Sequence, residues 1–220
     1  MKYLISLLIL LLAFGQISAQ NTGVINDPND IALIIEESGH FLTQNKVNEL
    51  IGKLEMAIEK EPDNISLYIV LGNFFVRLYE KEADEGNKAK STEYFNNALS
   101  RFNQALSKDS EYIDAIYSIG ALHYNNAAFL QMELQQLEED FSQEGLEKYE
   151  AKNDEILQKF DEALPFFQRC EKLNPNDLNT LTALREIYAR KNDLIIFNEF
   201  KGRLEKVLNG GKNEFSFFQE

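Results

Sequence analysis

Residues Ala57 to Phe75 read A-I-E-K-E-P-D-N-I-S-L-Y-I-V-L-G-N-F-F. Pro62-Asp63-Asn64 punctuates the stretch, because proline disfavours helix in the residue before it and Asp and Asn side chains favour the start of a new one. The spacing predicts the end of one helix, a tight turn and the beginning of a second. Leu54 and Ala57 stand before the turn; Tyr68, Leu71, Gly72 and Phe75 follow it.

The arrangement recurs downstream. Fifteen residues separate Ala57 from Gly72, Ala105 from Gly120, and Cys170 from Arg185. Three positions before the first member stand Leu54, Phe102 and Phe167. One before the second stand Leu71, Ile119 and Leu184, and three beyond it stand Phe75, His123 and Tyr188. Matched chemistry at matched offsets signals a structural repeat, which outranks any single local assignment.

These residues resemble the tetratricopeptide repeat, a two-helix unit of about 34 residues with a W-x2-L-G-x2-Y signature in its first helix and an alanine-phenylalanine-alanine-proline signature in its second. Tyr68-x2-Leu71-Gly72-x2-Phe75 and Ile116-x2-Ile119-Gly120-x2-His123 match the first signature; Leu181-x2-Leu184-Arg185-x2-Tyr188 departs from it at Arg185. The second is matched by Leu50-x3-Leu54-x2-Ala57 with Pro62, by Ala98-x3-Phe102-x2-Ala105, where Ser110 replaces the proline, and by Ala163-x3-Phe167-x2-Cys170 with Pro175. The resemblance covers roughly residues 31–211. It implies an all-α chain, a solenoid of antiparallel helix hairpins with units near 31–64, 65–112, 113–177 and 178–211. The first unit, with weak signature residues, and the last, with Lys201 where other units have Leu or Phe, suit terminal caps.

Two units are longer than the family's. Fourteen surplus residues lie between Gly72 and Ala105 and thirty-one between Gly120 and Cys170, within the hairpins and away from the joints between repeats. The first lengthened hairpin turns at Asp84-Glu85-Gly86-Asn87. The larger insertion carries an ascending strip, His123, Ala127, Leu130, Leu134, Leu137 and Phe141. After a turn at Ser142-Gln143-Glu144-Gly145 comes a descending one, Leu146, Tyr149, Asn153, Ile156, Phe160, Ala163 and Phe167. Alternating steps of three and four are the seam of two supercoiled helices, with Asn153 fixing their register. About 15 added residues per helix at 1.5 Å each carry the tip roughly 20 Å outward, so an antiparallel coiled-coil arm is expected. Glu133, Glu138, Glu139, Asp140, Glu144, Glu147, Glu150, Asp154 and Glu155 face only Lys148 and Lys152 there, in keeping with the solvated outside of a coiled coil or with a basic partner.

The chain opens Met1-Lys2, followed by the apolar run Tyr3–Phe14 and the small-residue sequence ending at Ala19. That is the form of a bacterial-style secretory signal peptide over residues 1–19, cleaved near Ala19, and it is too short for a membrane span. The expected product is periplasmic or secreted, with no membrane insertion after cleavage. Residues 20–30 read as a linker. Thirty-six acidic against twenty-two basic residues give a net charge of −14, which argues against nucleic acid or an anionic lipid surface as partner. Cys170 is the single cysteine and reads as a small buried hydrophobe.

No glycine-rich phosphate loop, H-E-x-x-H or G-x-S-x-G occurs, and the lone Glu37-Ser38-Gly39-His40 lacks the companions a di-iron site needs. We therefore expect no catalytic activity, no cofactor and no metal. The family resemblance implies a binding platform whose inner face is lined by first-helix residues off the packing slots. Among these, Ile69, Asn73, Tyr117 and Tyr124 form the best patch for a protein or peptide, since aromatic anchors beside a polar group suit such ligands. The alternative is a structural protein that pairs with its own copies through the arm or the Phe-rich tail, residues 212–220. The tail, with Phe215, Phe217 and Phe218, is expected to fold back on the last helix.

Overall fold

The computed structural model describes residues 43–135 and 142–219. The expected signal peptide, linker and first helix, and the arm tip at residues 136–141, lie outside them. Among the described residues seven α-helices run in order: α1 Gln44–Lys60, α2 Ile65–Asp84, α3 Lys88–Lys108, α4 Ile113–Gln135, α5 Gln143–Leu173, α6 Leu178–Arg190 and α7 Leu194–Leu208. Among the described residues there is no strand. Two compact units divide between Ala115 and Ile116.

In the unit before that boundary, α1 ends where the sequence requires. The Glu61 N–H donates to the Ala57 carbonyl at 2.9 Å, Pro62 and Asp63 make the turn, and α2 starts at Ile65. The Tyr68 hydroxyl donates back to the Pro62 carbonyl at 2.9 Å, tying the new helix to the turn that launched it. At the other end Gly86, at φ +73°, lets the chain reverse into α3, a conformation glycine adopts without the penalty a Cβ brings. Asn87 then caps α3, its side chain accepting from the Lys90 N–H. α2 and α3 pack closely along their length, with Phe75 stacked on Tyr94 and Tyr79 edge-on to Phe95. Leu50, Leu54, Leu71, Phe74, Ala98, Phe102 and Ala105 are almost wholly removed from solvent. Glu55 of α1 pairs with Arg101 of α3, and Lys108 sits 5.4 Å above the Tyr68 ring while reaching Asp63 at 3.3 Å.

In the other unit α4 and α5 run antiparallel: Gly120 approaches Phe166 and Phe167, His123 reaches Glu162, Tyr124 meets Phe160, and Glu133 pairs with Lys152. Of the strips anticipated from sequence, Ala127, Leu134, Ile156, Phe160, Ala163 and Phe167 are buried in one cluster, with Leu130 and Tyr149 packed against it. Asn153 is half-buried and Leu146 is exposed. Residues 143–145, expected in the turn, are helical instead. Ser142 accepts from the Gly145 N–H at 3.0 Å, so its hydroxyl starts α5 and residues 143–145 already belong to the helix.

α5 is 31 residues long and carries Pro165 on its exposed side, where the missing N–H leaves one carbonyl to water. It ends at Asn174, and Asp177 caps α6 by accepting from the Thr180 N–H at 2.7 Å. α6 and α7 close a shorter hairpin in which the Tyr188 and Phe200 rings stack at 5.9 Å. Lys201 is exposed, while its neighbour Phe200 is buried. The chain is thus all-α, its adjacent helices packing in pairs.

Candidate functional site

The positions of α2 and of α4 that the family resemblance would place on an inner face show the same order of exposure along each helix. In α2 Ser66 is exposed and Ile69 half-exposed, whereas Asn73 and Val76 are buried. In α4 Asp114 is exposed and Tyr117 half-exposed, whereas Ala121 and Tyr124 are buried. Of the four residues singled out from sequence, a ligand approaching from solvent therefore meets Ile69 on one unit and Tyr117 on the other.

The two tyrosines are held by aromatic contacts inside their unit. Tyr117 stands edge-on to Phe167 at 5.6 Å, and Tyr124 edge-on to Phe160 at 5.3 Å and to Phe167 at 6.4 Å. Burial pushes both phenols above the ordinary range; for Tyr124 it prevails over the nearby Arg190, which pulls the other way. The Tyr117 hydroxyl and the Asn73 amide oxygen are buried with no hydrogen-bond partner among the described residues. Such groups cost about 1–3 kcal/mol when unmet. The α6 counterparts Asn179, Thr182 and Glu186 are half-exposed and Ala189 exposed, giving a mixed, weakly charged lining. Ala32, Ile35, Gly39 and Leu42 lie outside the described residues.

The repeat-motif residues are brought together within each hairpin. Gly72 lies beneath the Phe102 ring, so close that a Cβ would stand 2.4 Å from its Cε1. Gly120 lies beside Phe166 and Phe167 at 3.2 and 3.3 Å by the same measure. Ala105 and Cys170 are fully buried, while Ala57 is half-buried. Arg185, at the third such slot, turns to Glu186, with 2.5 Å between the charged groups.

His123 packs flat against Phe166, with Nδ1 3.0 Å from Glu162. Burial lowers its proton affinity, and Glu162 only partly offsets that. Along the α4–α5 hairpin Lys152 bridges Glu133 and Glu155, each at 2.9 Å, and Lys148 meets Glu144 at 2.6 Å, so part of the acidic surface is internally compensated.

A second constellation was not visible in the repeat pattern. Glu171 of α5 is wholly buried and receives Arg203 at 2.7 Å, the Ser216 hydroxyl, and the Phe217 N–H at 2.9 and 3.1 Å. No sequence signal marked it, since the alternating strip continues from Phe167 to Cys170 and leaves Glu171 one position beyond. Phe200, by contrast, was discoverable from the steps Phe197, Phe200, Leu204 and Val207, which form the buried and half-buried face of α7.

Among the described residues, no group of three or more His, Cys, Asp or Glu side chains is placed to hold a metal ion, and no helix is long and apolar enough to cross a membrane. No protein-family model matches this chain, and no curated protein matches it.

Proposed function

We propose that the chain is an exported, non-catalytic scaffold of the tetratricopeptide-repeat type. It binds a protein or peptide through the inner faces of its first helices or along the α4–α5 hairpin, which serves as a coiled-coil arm. The observation that carries this reading is the recurrence of one contact, glycine under phenylalanine, in two successive hairpins: Gly72 with Phe102 and Gly120 with Phe166 and Phe167. A repeated packing joint at fixed spacing is what a repeat architecture requires, and such architectures serve chiefly as extended binding surfaces. Ile69 and Tyr117 supply the accessible apolar contacts, each in its own unit, and exposed Glu150 marks the arm.

A photo-crosslinking residue placed at Ile69, Tyr117 or Glu150 in intact cells, followed by mass spectrometry, tests this. A discrete partner recovered from at least one of these positions is expected. Adducts no different from those at exposed Met56 would count against it. Self-association through the Phe-rich tail is less favoured, because Phe217 and Phe218 are engaged with Phe200 of the same chain. Light scattering across a concentration series should accordingly return a monomer.

A further inference from the structure

The C-terminal residues after α7 have no helix or strand of their own, yet they are held at three chemically distinct points. First, Asn176 clamps the backbone of Asn213: its side-chain carbonyl accepts from the Asn213 N–H at 2.7 Å, and its amide donates to the Asn213 carbonyl at 3.2 Å. The Asn213 side chain in turn donates to the Pro175 carbonyl at 2.9 Å. Second, Arg203 donates to the Phe215 carbonyl at 2.5 Å, and the buried Glu171 carboxylate receives the Ser216 hydroxyl and the Phe217 N–H. Third, Phe200 forms an aromatic platform, with Phe217 edge-on at 5.3 Å and Phe218 stacked at 5.6 Å.

An amide that pairs with a main-chain N–H and C=O, a carboxylate that reads a hydroxyl and a main-chain N–H, and a ring that takes two aromatics are the elements by which proteins recognise extended peptides. The segment also lies on the surface. Phe215 is 68% exposed. An open groove of about 690 Å³ lies between Asn198, Gly202 and Lys206 of α7 and Phe215 and Phe217 of the tail. It follows Gly210, whose φ of +81° lets the chain leave the helix.

We propose that the cleft around Glu171, Asn176, Phe200 and Arg203 is a peptide-binding site for extended Asn-x-Phe-Ser-Phe-Phe segments. It is filled by the chain's own Asn213–Phe218 and open to the same segment from another molecule when that tail lifts. The buried Glu171 explains the selectivity. A carboxylate removed from water must be met by donors, and besides Arg203 its donors come from the tail. The site is separate from the inner faces of the repeats and does not depend on them.

The test uses the full chain and a fluorescent peptide of residues 212–220. Phe217→Ala with Phe218→Ala weakens the resident tail without touching the cleft. Anisotropy titration should show the peptide binding this variant at least tenfold more tightly than the wild type, and adding Glu171→Gln should abolish the gain. Equal, weak binding to wild type and to a variant that keeps its helical circular dichroism would overturn the proposal. Should the double variant not fold, hydrogen exchange of the wild type decides. Tail amides, Phe217 included, should exchange well before those of α7; tail and α7 opening together would show an inseparable piece of core and sink the idea.

Discussion

The α2–α3 and α4–α5 hairpins each place a glycine at the same sequence offset, but they use it differently. In α2–α3 the helices are 20 and 21 residues long, joined by a tight turn at Gly86, and Gly72 lies so near Phe102 that no side chain fits. In α4–α5 the described part of α4 covers 23 residues and α5 is 31 residues long, and a Cβ at Gly120 would press on Phe166 and Phe167 without overlapping them. The short hairpin is closed by one intimate contact. The long one spreads its closure over Tyr124, Ala127, Leu134, Ile156, Phe160 and Ala163. The same sequence offset can therefore be a steric necessity in one hairpin and a tolerance in another.

The difference is sharpest on substitution. Gly72→Ala should destabilise the protein by about 3 kcal/mol, the upper end for overpacking a core, with a thermal midpoint lower by on the order of 10 °C. Gly52→Ala controls for the intrinsic effect. Gly52 is mid-helix with nothing within 4 Å of a new Cβ, so alanine should stabilise by about 0.8 kcal/mol. Gly120→Ala falls between: crowding costs about 1 kcal/mol and helix propensity returns about as much, leaving the thermal midpoint nearly unchanged. A loss at Gly120 as large as that at Gly72 would erase the distinction.

The smallest effect concerns pH. His123 belongs to the long hairpin, and burial holds its pKa below the ordinary 6.5. The unfolded chain then takes the proton first, so this contribution to stability is complete above pH 6.5. It declines as the pH falls from there through the folded value, and is level below it. Groups facing His123 include Glu162, Lys159 and Phe166. His123→Phe should remove that slope, seen as a flatter dependence of the thermal midpoint on pH between about 7 and 5.5. An unaltered slope would assign the dependence to other groups.

Much of the hairpin arrangement was legible in the sequence because its signals are local or periodic. Pro62, Gly86 and Asp177 mark turns and caps by their own backbone and side-chain chemistry, and the strips from Ala127 to Phe167 follow helical spacing. Other features depend on what lies opposite in space. Asn73 and Tyr124 are buried, and a repeat register does not say how deeply a position is covered. Glu171, Arg203 and Asn213 make a buried polar cluster from residues far apart in sequence, and a charge in a charged helix carries no mark of its burial. Lys201, which looked like a lost core position, is exposed because Phe200 beside it takes the inward place.

The measurement closest to the central claim is a double-mutant cycle on Gly72→Ala and Phe102→Leu, read by equilibrium unfolding. Phe102→Leu alone should cost about 1 kcal/mol. If a glycine under a phenylalanine ring closes the hairpin, trimming the ring makes room for the added methyl, and the double variant should be more stable than Gly72→Ala alone. Losses that simply add would contradict the account, because residues in contact couple and independent ones do not.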